Sequence, residues 1–149
     1  MLATEFLHGQ GLGNQLFCYV TTRMLAHRHG YDFGIKGLKS AGDSRVNQKG
    51  FYFMDLDYGK EVPDDLIRYD EYRHGKLTDS WLRTDIRLTD KRLLRIKDNR
   101  IIYGNLQSEE YFGDRLDLVK EWLKVKEEHE HMESFNSKLQ ELLSRASGN

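Results

Sequence analysis

Leu2-Ala3-Thr4-Glu5-Phe6-Leu7-His8, then Gly9-Gln10-Gly11-Leu12-Gly13, then Asn14-Gln15-Leu16-Phe17-Cys18-Tyr19-Val20 are three successive stretches with three different periods. The first alternates, with Leu2, Thr4, Phe6 and His8 on one side and Ala3, Glu5 and Leu7 on the other, which predicts a strand. The third repeats every three or four residues. Leu16, Phe17, Val20, Met24 and His27 form a helical stripe that Leu25 widens. Asn14 suits the N-cap of that helix, because its side-chain oxygen can accept a free backbone N–H. His27-Arg28-His29 followed by Gly30 suits the other end, where cations meet the negative pole and glycine takes a left-handed turn. Tyr31-Asp32-Phe33-Gly34-Ile35 reads as a second strand. Strand, glycine turn, helix, strand begins a right-handed βαβ unit, so the predicted class is α/β, with a small, mainly parallel sheet flanked by helices.

Working outward, Lys36 to Lys60 is broken by glycines and reads as a long loop with a short ordered piece at Phe51-Tyr52-Phe53. Pro63 marks a turn, and Asp64-Asp65 after it suit the opening of a short helix. From Lys76 to Asp98, charges mix with Leu, Ile and Trp81 without a period. The basic residues Lys91, Arg92, Arg95 and Lys97 there read as a solvated face rather than a binding patch. Ile101-Ile102-Tyr103 is short, apolar and β-rich, a buried strand. Tyr111, Phe112, Leu116, Val119, Trp122 and Leu123 then mark a helix to about Lys126. Asp114 and Asp117 resemble a weak capping box at which it restarts. After the polar break Glu127-Glu128-His129-Glu130-His131, the residues Phe135, Leu139, Leu142 and Leu143 predict a last amphipathic helix. Ser144 to Asn149 are expected to fray.

Composition sets the outer limits. At 149 residues the chain fits one domain over residues 1–149. Eight Tyr, seven Phe and two Trp argue for a packed core and against disorder. A net charge of −1, with both signs interleaved, gives no pull toward nucleic acid. Nothing in the sequence is long and apolar enough to be a membrane span. Met1 runs straight into the first strand without a basic leader, so no signal peptide is expected. The single cysteine, Cys18, excludes an intramolecular disulfide and is compatible with a reducing compartment. The expected location is cytoplasmic. Cys18 falls near the buried side of the first helix, which suits a small core residue better than a nucleophile.

Glycines after a first strand allow left-handed turns and let backbone N–H groups approach an anion, and the helix behind points its positive end there. A phosphate-bearing ligand follows naturally. The dinucleotide pattern G-x-G-x-x-G nevertheless fails in both registers, with Asn14 or Leu16 at the third glycine. No Gly-Lys-Ser/Thr follows, which excludes a P-loop.

The word Gly11-Leu12-Gly13-Asn14-Gln15-Leu16-Phe17-Cys18-Tyr19 closely resembles the N-terminal motif of the α-1,2-fucosyltransferase family, G-L-G-N-Q-[LM]-F-x-Y. A second word, Tyr103-Gly104-Asn105-Leu106-Gln107-Ser108-Glu109-Glu110-Tyr111-Phe112, is similar to that family's G-[YF]-[FW]-Q-S-E-K-Y-F segment. It departs at Asn105-Leu106, where the family prefers aromatics, and at Glu110, where it often has Lys. The resemblance implies the N-terminal lobe of a two-lobed (GT-B-like) glycosyltransferase that transfers fucose from GDP-fucose to a glycan hydroxyl with inversion. It implies a donor-side site at Gly11, Gly13, Asn14, Gln15, Gln107 and Ser108, and neither metal nor cofactor. The family's arginine-rich segment, which opens its C-terminal lobe and holds the donor diphosphate, has no counterpart in this sequence. The chain is therefore expected to be inactive alone, with self-association through the uncovered cleft face. The alternative is a truncated, non-catalytic binding or structural module of the same fold.

The residues identify no catalytic base. Glu5, Asp55, Asp57, Glu109 and Glu110 are candidates among 24 acidic residues. His8 beside the turn is a weaker candidate. Glu128-His129-Glu130-His131 does not make a metal site, because adjacent helical residues do not share a face.

Overall fold

The computed structural model describes residues 1–7, 10–37, 54–72, 89–127 and 140–145. Its regular elements are β1 (Leu2–Glu5), α1 (Leu12–His29), β2 (Phe33–Lys36), β3 (Ile67–Asp70), β4 (Arg100–Tyr103) and α2 (Leu116–Trp122). The four strands form one sheet in the order β2-β1-β4-β3, and every pairing is parallel. The register sets Leu2 beside Phe33 and Arg100, and Thr4 beside Ile35 and Ile102. The α/β class with a parallel sheet is thus observed.

The core explains the order. Leu2, Ala3 and Thr4 are buried on both sides of the sheet, as a central parallel strand requires. Leu2, Phe6, Ile35 and Ile102 share one apolar cluster with Leu16, Val20, Met24 and Leu25 of α1. His27, expected in the stripe, is exposed and instead meets the Trp122 ring edge-on, with centroids 6.0 Å apart. Gly30 ends α1 as predicted. At φ 71° it is left-handed, its N–H donates to the His27 carbonyl, and the Tyr31 N–H donates to the Ala26 carbonyl at 2.9 Å. That pair of bonds is the Schellman closure.

Several expectations need correction. β1 ends at Glu5 rather than His8, which lies outside the described residues, as do Phe51-Tyr52-Phe53 and Trp81. Asp64-Asp65 form a turn and open no helix; they feed β3, an edge strand with no apolar period. Ile67 in it is 57% exposed. Its neighbour β4, not its composition, makes β3 a strand. The helix expected from Tyr111 is two 3₁₀ turns, Glu109–Tyr111 and Gly113–Arg115, before α2. The break falls at Phe112, whose φ of −148° and ψ of −5° lie outside the helical region. Tyr111 and Phe112 are both drawn fully into the core there. Neither Asp114 nor Asp117 is an N-cap: they pair with Arg28 and Arg115 respectively. Residues 140–145 are helical, with Leu142 in the core, whereas Phe135 and Leu139 lie outside the described residues.

Candidate functional site

β1 and β4 are neighbours and parallel, so the segments leaving them emerge at the same, C-terminal edge of the sheet. Those segments carry the two words. Ligands of open α/β sheets gather at this edge.

Asn14 does not cap α1. The helix already begins at Leu12, with Gly11 as N-cap at φ −71°, ψ 159°, and the Gln15 N–H closes the first turn on the Gly11 carbonyl at 3.0 Å. The buried Leu12 side chain anchors that turn three residues earlier than an Asn14 cap would place it. The Asn14 side chain is used elsewhere: its Oδ1 accepts from Gln107 Nε2 at 2.7 Å. Among the described residues no side chain caps the N-terminus of α1, and the first amides of any helix lack intrahelical acceptors.

Gly11 and Gly13 have negative φ, and a Cβ on either would meet nothing within 4 Å among the described residues. Neither turn geometry nor packing there demands glycine. Both face a cavity of about 260 Å³ with Leu12, Asn14, Phe17, Glu141, Leu142 and Arg145. Arg145, from the C-terminal helical residues, stands 5.9 Å from the Phe17 ring centroid and pairs with Glu141 at 2.8 Å. It is the cation among the described residues that lines the cavity at the glycine turn, and nothing in the sequence pattern marks it.

The remaining expected residues lie further in. Gln15 is fully buried. Ser108 is buried as well; its Oγ accepts the Glu110 N–H at 3.3 Å, capping the next turn, and bonds Thr89 Oγ1. Behind the turn, Gln10 Nε2 reaches Cys18 Sγ at 3.5 Å, and Cys18 Sγ reaches the Gly104 carbonyl at 3.4 Å. Burial pushes the Cys18 thiol up to about 12, so it is the inert core residue expected.

Of the carboxylates considered as bases, Glu5 accepts from the Tyr103 hydroxyl at 2.6 Å, and Glu109 and Glu110 are exposed. Asp55 and Asp57 line a different cavity, of about 330 Å³, beside Arg23. Besides Glu5, two carboxylates among the described residues reach the second word, Glu71 and Asp90. Glu71 Oε2 accepts the Tyr111 O–H at 2.7 Å and Oε1 the Leu106 N–H at 3.1 Å. Asp90 donates its N–H to Tyr111 Oη at 2.8 Å and accepts the Tyr69 O–H at 2.6 Å. Burial, reinforced by these carboxylates, drives both phenols well above their ordinary range. Glu71 and Asp90 sit in unpatterned sequence among many other acids, with no signal to single them out.

Among the described residues, no group of three or more His, Cys, Asp or Glu could hold a metal ion, and no helix is long and apolar enough to cross a membrane. His8 and Glu128-His129-Glu130-His131 lie outside those residues. Comparison with protein-family models, with curated proteins and with solved structures finds no match to this chain.

Proposed function

We infer that this chain is one lobe of a sugar-nucleotide transferase, its glycine turn forming the wall that faces the donor diphosphate. The observation that carries this reading is the Gln107–Asn14 bond, which joins the two family-like words at the C-terminal edge of adjacent parallel strands. The uncapped first turn of α1 offers amide donors to an anion. Gly11 and Gly13 keep the approach open, and Arg145 adds a cation to the same cavity. By resemblance the donor is GDP-fucose, the acceptor a glycan hydroxyl, and the fold the N-terminal lobe of a GT-B-like enzyme. Departure of the diphosphate needs charge compensation, which the α1 amides and Arg145, among the described residues, supply only in part. The lobe therefore binds weakly and does not turn over alone.

The test is protection against heat. GDP is expected to raise the melting temperature, whereas guanosine, which lacks the phosphates, is not. Equal effects of the two would contradict a diphosphate site.

One observation favours the alternative, a non-catalytic module. Asn14 and Gln107 bond each other, and Gln15 and Ser108 are turned inward, as a purely structural junction requires.

A further inference from the structure

Gln107 is aimed by Leu106, whose backbone is left-handed at φ 52° although its branched side chain is fully buried. A non-glycine residue pays for that conformation and keeps it only where its surroundings hold it. Here two side chains hold the two peptide units that flank the Leu106 Cα, one on each side. Glu71 Oε1 accepts the Leu106 N–H at 3.1 Å, and Thr21 Oγ1 donates to the Leu106 carbonyl at 3.0 Å. Glu71 is fixed in turn. Its backbone N–H donates to the Tyr103 carbonyl at 2.8 Å, and its Oε2 accepts the Tyr111 O–H at 2.7 Å. Gly104 leaves the room for it: a Cβ there would stand 2.5 Å from Glu71 Cβ and 2.7 Å from Oε1.

We propose that Glu71 is a positioning residue of the glycine-turn site: its carboxylate holds the Leu106 peptide left-handed and so keeps Gln107 on Asn14. A carboxylate suits the task because a charged acceptor holds an N–H more firmly than a neutral one. Glu71 leaves β3 and Leu106 leaves β4, so the bond also ties the edge strand to the site. The functional meaning of this linkage rests on the donor-site reading, but the linkage itself is testable without it.

The experiment follows the Gln107 side-chain NH₂ signals in ¹H–¹⁵N spectra of the full chain, identified by their loss in Gln107→Glu. In the unaltered protein they are expected at shifted, hydrogen-bonded positions. In Glu71→Ala they should move to the free-amide position and exchange roughly fivefold faster, the factor one lost hydrogen bond is worth. Glu71→Gln, which keeps an oxygen acceptor at the same reach, should restore them. Unmoved Gln107 signals in a folded Glu71→Ala protein would overturn the proposal. Should that variant not fold, Glu71→Asp, one methylene shorter, is read the same way: displaced signals support the proposal and unmoved signals contradict it. GDP is added to the same samples. Signals that respond to Glu71 while the unaltered protein ignores GDP would uphold the positioning role and sink the donor-site reading.

Discussion

Gln107 Nε2 lies 2.7 Å from Asn14 Oδ1, so two stretches 93 residues apart in sequence meet through one amide–amide bond. A neutral bond of this kind contributes about 1 kcal/mol net. A double-mutant cycle of Asn14→Ala and Gln107→Ala, followed by urea denaturation, should show a coupling of about that size. Additive losses would mean that the two side chains act separately.

The glycines divide into two kinds, with opposite expectations. Gly13→Ala adds a Cβ in open space within a helix and should stabilise the fold by about 0.5 kcal/mol. It should also weaken binding of an anion that approaches the α1 amides. Gly104→Ala collides with Glu71 and should cost about 1–3 kcal/mol. Thermal melts of the two variants should move in opposite directions.

Gly30→Ala should destabilise by about 1 kcal/mol, because alanine is disfavoured at the left-handed φ of 71° that closes α1. Gly30→Asn, which tolerates that region better, should recover part of the loss. Equal losses in the two variants would place the cause outside backbone conformation.

Cys18 gives the pH dependence its sign. Its thiol is held protonated in the fold, from an ordinary 9.0 up to about 12. The unfolded chain therefore releases this proton first, and the stability contribution, complete below pH 9.0, falls as pH rises toward about 12. Tyr19, pushed from 10.0 to about 12 chiefly by burial, adds to the same decline. Urea midpoints measured across this window should fall, and Cys18→Ala should remove the part that begins near pH 9.0. At pH 8 a thiol reagent should react with the unfolded chain and spare the folded one.

The legible parts of the fold were those where local pattern and tertiary need agree. Leu2 to Glu5, the α1 stripe, the Gly30 stop and Ile101-Ile102 all carry their own period or punctuation. β3 was illegible because Ile67-Arg68-Tyr69-Asp70 is a strand by virtue of β4 alone. The helix expected from Tyr111 failed because Phe112 and the Tyr111 hydroxyl have core partners that a continuous helix cannot serve. At the site, the glycines and Asn14 are visible as a word, but the cap falls on Gly11 rather than Asn14 because Leu12 is buried. Arg145, Glu71 and Asp90 were invisible, since only folding brings them there.

The central claim is tested most directly by calorimetric titration of the chain with GDP-β-L-fucose, GDP and free fucose, repeated on Asn14→Ala. The account predicts saturable binding of both GDP ligands, weakened in the variant, and little heat from fucose alone. No binding at millimolar GDP ligand, from a chain shown to be folded, would contradict it and leave the glycine turn as a structural junction.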